Sequence, residues 1–277
     1  MKNKKLKIFL SRKISVVAAV LLLFMMLVAF IGPFLTVHDP DSGNIWNAGQ
    51  GMSREHWLGT DHIGRDFFTR IIHGMRLSIG LALFGVSIGL SFGLVFGLIS
   101  GYYGGVTDAV ISRFNDFLMA VPTFMIAIIS LAILGSGGIN TGIAVGLSGI
   151  PSFMRITRSQ VIAVKDLDYV KSCRITGMSD TRIIIRHILP GVLPIIAVTF
   201  TLNWGAALLT ATTISFLGLG VNPPTSELGA LVNSGMGAVR NNPGGVIFPT
   251  IPITLFVMCT SLIGDGLRDA FDPAVYR

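Results

Sequence analysis

The sequence predicts an all-α membrane protein that crosses the bilayer six times, and three observations support this prediction. Hydrophobic residues make up 51% of the 277 positions and charged residues only 13%, whereas a soluble domain carries about 25% charge. The mean hydropathy is +0.72. Six segments approach the roughly 20 apolar residues that a transmembrane helix needs, and lipid forces each of them to be helical. These segments are 14–35, 77–100, 110–134, 139–154, 188–216 and 246–264.

The first segment is predicted to be an uncleaved transmembrane helix. Its apolar run is longer than the roughly 7–15 residues of a signal-peptide core, and no small-x-small cleavage site precedes Pro33. The chain then divides into an N-terminus with the first span (1–35), an extracytoplasmic segment (36–76) and a five-helix core (77–277) that includes a polar loop at 155–190. The N-terminus carries six bases, namely Lys2, Lys4, Lys5, Lys7, Arg12 and Lys13.

Charge asymmetry predicts that both termini are cytoplasmic. The loop between spans four and five carries seven bases, and cytoplasmic loops carry the excess of Lys and Arg. The opposite side receives 36–76, where four arginines face five acidic residues, and 217–245, which holds one Arg and one Glu. The net charge of +7 thus reflects membrane topology rather than nucleic-acid binding. The loop bases are Arg155, Arg158, Lys165, Lys171, Arg174, Arg182 and Arg186.

The spans lack the groups that energy coupling would need. Apart from Asp116, near the cytoplasmic end of span three, no ionisable side chain is predicted deep in a span, whereas proton-driven transporters carry such residues there. The sequence also holds no phosphate-binding loop of the G-x-x-x-x-G-K-[ST] type. We therefore expect no catalytic residue and no cofactor, and any energy for transport must come from another subunit.

Glycine and proline are placed for helix packing and helix starts. Glycines at spacings of four and five fit close approach of neighbouring helices, which we favour over a hinge. Proline is tolerated where first-turn amides lack helical partners. The residues are Gly80, Gly85, Gly89, Gly93 and Gly97, then Pro122, Pro190, Pro194, Pro249 and Pro252.

The loop at 155–190 is too polar to span and too periodic to be irregular. We predict two short helices at about 156–165 and 167–175, a turn at Gly177, and a helix capped by Ser179 or Asp180 that leads into span five. Such basic, partly apolar helices can lie on the membrane surface or dock into a partner's groove.

The loop resembles the signature loop of binding-protein-dependent ABC permeases, in which Gly177 is followed after ten residues by Ile188-Leu189-Pro190. The resemblance implies a coupling helix that inserts into a cytoplasmic ATPase. This chain has Lys171, Ser172 and Cys173 where the family has Glu-Ala-Ala, a charge reversal that implies an atypical ATPase or a compensating change on its surface. The implied coupling residues are Lys171, Ser172, Cys173, Gly177, Asp180, Ile188, Leu189 and Pro190.

Four further stretches, 58–79, 101–128, 215–224 and 264–273, are similar to the oligopeptide/dipeptide/nickel branch, second-permease type. The resemblance implies the six-helix ABC importer permease fold in a bacterial or archaeal inner membrane. It implies four kinds of partner, namely a second permease subunit in a heterodimer, two ATPase subunits or domains that hydrolyse the ATP, an external substrate-binding protein and membrane lipid. The cargo would be peptides, nickel chelates or other small polar solutes, moved by alternating access.

The external segment carries two sets of candidate residues. Asp61, Gly64, Arg65 and Asp66 form a turn that we expect to brace the loop, with contact to a binding protein as the alternative. The histidines His38, His56, His62 and His73 are spaced by 18, 6 and 11 residues, which matches no standard ligand motif, so no metal site is predicted. Cys173 and Cys259 are expected to be small buried thiols.

Polar residues of span five can either line a path for cargo or hydrogen-bond across helices. The candidates for the path are Thr199, Asn203, Trp204, Thr210 and Thr213. Two other readings stay open from the residues alone. A membrane-embedded enzyme would have to use Asp116 with Arg113, and a stand-alone channel or secondary transporter would not depend on a separate ATPase. Past span six, Asp265 or Asp269 is expected to pair with Arg268.

Overall fold

The computed structural model describes residues 2–240 and 242–271, which are almost entirely helical. No strand forms among them, and β pairing is limited to one isolated bridge between Thr60 and Asp66. The helices are α1 (Lys2–Ser11), α2 (Lys13–Ile31), α3 (Phe67–Tyr103), α4 (Gly105–Ala120), α5 (Thr123–Leu134), α6 (Gly138–Lys165), α7 (Asp168–Ile175), α8 (Asp180–Ile183), α9 (Leu189–Phe216), α10 (Leu228–Met236) and α11 (Gly244–Phe271).

Four helical stretches are long and apolar enough to cross a membrane, and the bent pair α4–α5 makes a fifth if it counts as one span. The four are Lys13–Phe34, Phe67–Tyr103, Asp180–Phe216 and Gly244–Phe271. The fourth predicted span lies in α6, which falls outside this group because glycine and polar residues dilute its apolar content. With 28 residues, α6 is nevertheless about 42 Å long, which exceeds the roughly 30 Å hydrocarbon core.

Helix α6 occupies the same depth as α3 because the two helices run parallel in close contact. A Cβ added at Gly85 would meet the Gly142 carbonyl oxygen at 2.9 Å, and one at Gly101 would meet the Val161 Cβ at 2.7 Å. Gly89, Gly93 and Gly97 make equally close contacts between these two ends. The expected packing role is thus confirmed for Gly85 to Gly97, but Gly80 has open space around its Cβ position.

The third predicted span, 110–134, is not one straight helix. Helix α4 ends at Ala120, α5 begins at Thr123, and the two are bent by 93°. Val121 is extended, with φ −90° and ψ 131°, because the ring of a following proline disfavours helical geometry. Pro122 therefore divides the segment, and it immediately precedes α5 as the N-cap residue of that helix.

Other boundaries also differ from the expectation. Helix α3 begins at Phe67, ten residues before the predicted start of span two, because Asp66 caps it and accepts a hydrogen bond from the Thr69 amide at 2.8 Å. Pro194 lies inside α9, which begins at Leu189 close to its predicted start. Pro249 and Pro252 lie inside α11, which begins at Gly244, two residues before its predicted start.

The C-terminal pairing also differs from the prediction. Asp269 forms its ion pair with Arg12 rather than within α11. The pair therefore joins the start of α2 to the end of α11, and the Ser15 hydroxyl, which donates to the Leu262 carbonyl at 3.0 Å, links the same two helices.

Two buried apolar clusters organise the bundle. The larger one joins α2, α3, α5, α6, α9, α10 and α11. The smaller one lies where α3 and α6 end and α9 begins, and its members are Tyr102, Val161, Val170, Ile183, Ile188, Val192 and Ile196. This second cluster gathers every helix of the polar loop at one end of the molecule.

Candidate functional site

The polar loop folds as one connected unit at this end. The first predicted helix, 156–165, is the continuation of α6, while the second, 167–175, corresponds closely to α7 at Asp168–Ile175. After a turn, α8 passes through a π-helical stretch, Ile184–Ile188, directly into α9. The loop therefore connects the long helices α6 and α9 through short helices, with few residues outside helical structure.

Gly177 forms the turn that ends α7. Its φ is +75°, a conformation that glycine adopts without the penalty of a Cβ. Its amide donates to the Arg174 carbonyl at 3.0 Å, and the Met178 amide donates to the Cys173 carbonyl at 3.1 Å. These two bonds are the Schellman pattern of a helix C-terminus, so Gly177 sets the direction in which the chain leaves α7.

Helix α7 is anchored through a small buried face. Val170 is fully buried, as are Val161 of α6, Ile183 of α8 and Ile188 of the π-helical stretch. Cys173 is half-buried beside the same cluster rather than fully buried. The contacts join α7 to both long helices that flank it.

The rest of α7 is exposed. Lys171 and Ser172 face solvent, and Ile175 is 86% exposed. Farther along the chain, Leu189 is half-buried and Pro190 is exposed at the start of α9. Lys171, Ser172 and Ile175 thus form an exposed face of α7 that no other described residue covers.

Tyr102 connects this unit to α3, and the sequence analysis missed it. Its hydroxyl donates to the Asp180 carboxylate at 2.6 Å, and the Arg174 guanidinium lies over its ring, 5.0 Å from the centroid. Asp180 thus bonds across to α3, whereas Ser179 occupies the N-cap position of α8 without a side-chain hydrogen bond. One aromatic residue therefore holds both ends of the turn around Gly177.

A second polar contact missed by the sequence analysis ties α4 to α6. Arg158 donates to both oxygens of Asp108, at 2.6 Å and 2.7 Å, in the bidentate geometry that makes such pairs specific. Nearby, the Lys165 ammonium donates to the Gly101 carbonyl at 2.8 Å. The ends of α3, α4 and α6 are thereby fixed to one another.

The turn that the sequence predicts to be external is a brace centred on Asp61. Its carboxylate accepts bonds from the Arg65 amide at 3.0 Å and the Arg65 Nε at 2.7 Å, and it pairs with Arg70. Arg70 also donates to the Ser226 hydroxyl at 3.2 Å, which joins the turn to the loop before α10. Burial alone would raise the pKa of Asp61, but the bonds from Arg65 and the Ile63 amide outweigh it and lower that pKa.

Gly64 and Asp66 complete the brace. Gly64 has φ +81°, and a Cβ there would lie 1.8 Å from the Asn44 carbonyl oxygen, so only glycine fits. Besides capping α3, Asp66 accepts a hydrogen bond from His56 at 2.9 Å between Oδ1 and Nδ1. The four predicted residues are thus brought together as a buried structural unit.

The predicted path residues of α9 separate into two groups. Asn203, Thr210 and Thr213 are spaced as residues on one helix face, and each is half-buried. Thr199 shares this face but is buried, and its hydroxyl bonds the Ile195 carbonyl at 2.8 Å. Trp204 instead packs edge-on against Phe256 of α11, with ring centroids 5.2 Å apart.

The described residues form a bundle of apolar helices that holds a short exposed helix, α7, against α3, α6 and α9, and a connected element of this kind can pass movement from a partner protein to the bundle.

Comparison with known proteins identifies the family. A model described as binding-protein-dependent transport system inner membrane component matches residues 93–277, and one described as the N-terminal TM domain of oligopeptide transport permease C matches residues 5–50. The chain belongs to the binding-protein-dependent inner membrane component family. It is a multi-pass permease subunit of an ABC importer, in which a separate ATPase hydrolyses the ATP.

Relatives support the assignment along nearly the whole chain. A glutathione transport system permease protein of Pectobacterium atrosepticum is 40% identical over 96% of this chain and 88% of that protein. A dipeptide transport system permease protein of Alkalihalophilus pseudofirmus is 41% identical over 94% of this chain and 86% of that protein. The crystal structure of an amino acid ABC transporter with histidines shares the fold, with a TM-score of 0.55 at 15% identity over 73% of this chain and 94% of that one.

Proposed function

We propose that this permease imports small peptides or peptide-like solutes as one half of a heterodimer with a second permease subunit. The observation that carries the proposal is the fixed position of α7. Its buried face is joined to α3, α6 and α9 by the cluster around Val170, and its other face stays exposed. The names of its relatives, which include a glutathione and a dipeptide permease, support a cargo of this size and polarity.

Coupling begins at the exposed face of α7. A groove on the ATPase receives Lys171, Ser172 and Ile175, and movement of that groove displaces α7. Because the Tyr102 hydroxyl binds Asp180 and the Lys165 ammonium binds the Gly101 carbonyl, the displacement passes to α3 and α6. The two long helices then tilt against the partner permease and open the path to alternate sides.

The path runs along the polar face of α9. Asn203, Thr210 and Thr213 are half-buried in the single chain, so a second permease packed on this face would enclose them. The side chains of these three residues already donate hydrogen bonds to carbonyls one turn earlier in the helix. We therefore expect each of them to bind any single ligand only weakly. A lining of this kind passes varied polar cargo and leaves selection to the external binding protein.

The orientation follows from charge. The end that contains α7 holds the bases of the polar loop, so we place it and both termini in the cytoplasm. The brace around Asp61 then lies outside, on the surface that meets the binding protein.

Reconstituted transport tests the proposal. Purified complexes in proteoliposomes are assayed for ATP hydrolysis and for uptake of a labelled dipeptide or glutathione. Gly177→Pro removes the hydrogen bond from the amide of residue 177 to the Arg174 carbonyl, and proline cannot adopt a φ of +75°. We therefore expect uptake to fall to background while the complex still assembles. Gly177→Ala is the matched control, since open space surrounds its Cβ position and the penalty for alanine at a positive φ is about 1–2 kcal/mol.

Tyr102→Phe tests the transmission step separately. It removes the hydrogen bond to Asp180 and keeps the ring under Arg174, so we expect fewer solute molecules transported per ATP hydrolysed. The neighbouring Tyr103, which is 54% exposed, supplies the control Tyr103→Phe. An unchanged ratio in Tyr102→Phe would refute this transmission route, and uptake by the chain without any ATPase would refute the proposed function itself.

A further inference from the structure

Two of the four external histidines meet in the folded chain. His38 and His56 have ring centroids 4.9 Å apart with planes tilted by 35°. One nitrogen from each ring and one oxygen of Asp66 all lie within 4.8 Å of one another. His56 is 6% exposed, Asp66 is 4% exposed, and His38 is half-buried. His62 and His73 lie outside this group.

We propose that His38, His56 and Asp66 form a binding site for one divalent transition-metal ion of the Zn²⁺ type. Imidazole nitrogen and carboxylate oxygen are ligands that Zn²⁺ takes at about 2.0–2.2 Å. Tetrahedral ligands at these distances are about 3.4 Å apart, so direct binding by both His56 Nδ1 and Asp66 Oδ1 requires these atoms to move slightly apart from the 2.9 Å of their present contact. Water fills the remaining coordination positions.

The second nitrogen of His56 provides an independent observation. Among the described residues, His56 Nε2 is buried and has no hydrogen-bond partner. Buried polar atoms in native proteins nearly always have a hydrogen-bond partner, and the contact with Asp66 gives a partner to only one of the two ring nitrogens. A metal ion bound at Nε2 gives this atom a partner, while Asp66 orients the ring through Nδ1, as carboxylates commonly do behind metal-binding histidines. A metal ion bound at Nδ1 takes Asp66 as a direct ligand and leaves Nε2 unpaired.

The surroundings permit an ion to enter. His38 and Asp66 line a cleft of about 460 Å³ at the outer end of α2 and α3. Arg54 and Glu55 on the same cleft offset each other's charge, so the carboxylate of Asp66 gives the site its negative sign. The His38 Nε2 lies 3.2 Å from the Glu55 carbonyl, which leaves Nδ1 as the free ligand atom of this ring.

The site joins parts of the chain that are far apart. His38 follows the first span closely, and Asp66 caps the second, so the ion would clip together the two ends of the external segment. A shared ion would hold this surface in one shape without any contact with cargo.

Metal binding is measured on the purified complex after removal of metals with a chelator. Zn²⁺ is titrated by calorimetry, and Co²⁺ is used as a spectroscopic probe of coordination. We expect one Zn²⁺ per copy of this chain, at least about tenfold weaker binding in His38→Ala and His56→Gln, and unchanged binding in His62→Ala. Zn²⁺ is also expected to raise the melting temperature of the wild type but not of His38→Ala.

The outcomes separate cleanly. Absence of Zn²⁺ binding by the wild type, or full binding by His38→Ala, would overturn the site and leave His56 and Asp66 as a hydrogen-bonded pair. If His56→Gln fails to fold, His38→Ala decides, because among the described residues this half-buried side chain has one hydrogen bond, to the Glu55 carbonyl. Neither measurement depends on transport, so failure of this site would leave the proposed function standing.

Discussion

Glu227 shows how much one buried side chain can organise. It is fully buried, and its two carboxylate oxygens accept from the Ser78 hydroxyl at 2.6 Å and the Ala230 amide at 2.9 Å. It thus caps α10 and holds that helix against α3. Burial raises the pKa of this carboxyl above its ordinary value despite these bonds.

We expect Glu227→Ala to destabilise the protein by roughly 2–4 kcal/mol, because it removes a helix cap and leaves two buried donors without partners. Glu227→Gln should be close to the wild type, since its amide can accept from Ala230 and donate to Ser78. Thermal unfolding in detergent measures both, and an Ala variant as stable as the wild type would contradict the capping role.

The wild type and Glu227→Gln can also be compared as a function of pH. A raised folded-state pKa means that the native state holds a proton which the unfolded state releases, so stability from Glu227 declines as the pH rises above about 4.3. Glu227→Gln should lack this part of the decline.

The sequence located the brace residues near one another but not the partners that complete it. Asp61 to Asp66 share one short turn, and glycine with paired charges predicts a tight loop. Arg70 reaches Ser226, 156 residues away, and Glu227 reaches Ser78, 149 residues away. Spacing along the chain carries no information about contacts of this range, which only the packing of α3 and α10 creates.

In the contact between α3 and α6, backbone approaches backbone at five successive glycines of α3, from Gly85 to Gly101. A Cβ at Gly97 would lie 2.6 Å from the Thr157 Cβ and 2.8 Å from the Met154 carbonyl oxygen. Small residues at helix interfaces in membranes make this approach feasible.

Gly97→Val should therefore destabilise the fold by about 1–3 kcal/mol, the usual cost of overpacking, and reduce the yield of folded protein. Gly80→Ala, on the same helix with open space at Cβ, should match or slightly exceed wild-type stability because alanine favours the helix. Equal melting temperatures for Gly97→Val and the wild type would contradict the tight contact, because α3 and α6 would then accommodate the valine without loss of stability.

Apolar periodicity located the helices but not their true ends. The predicted span 139–154 stops at Met154, yet α6 continues to Lys165, because an amphipathic helix persists once it leaves lipid and packs on Val170. Segment 110–134 was predicted to be one span, and the conformational restriction that Pro122 imposes on Val121 divides it. Composition reports burial in lipid, whereas local backbone geometry and later packing decide where each helix stops.

For the whole molecule, the orientation can be tested by labelling. In a background with Cys173→Ser and Cys259→Ser, the exposed positions Met52→Cys and Ser172→Cys report on opposite ends of the bundle. A membrane-impermeant maleimide added to spheroplasts should label Met52→Cys and should reach Ser172→Cys only after permeabilisation. The reverse pattern would place both termini outside.

Family and fold were predictable because the loop around Gly177 and the four matching stretches keep their order along the chain. The identity of the cargo was not, because the half-buried face of α9 presents hydroxyls and an amide that bind their own helix. Ile175, 86% exposed, shows a further gap, since the sequence analysis did not single out this apolar residue on a polar helix.

The backbone contact between α3 and α6 has a mechanical consequence. Helices in such contact move as one rigid body, and α7 is attached to one end of it through Tyr102 and two linking residues. A tilt of about 5° at that end would displace the far end of a helix about 42 Å long by roughly 4 Å. Under the proposed coupling, the pair would therefore act as a lever that converts a small displacement of α7 by the ATPase into a displacement of about 4 Å at the far end of the helix.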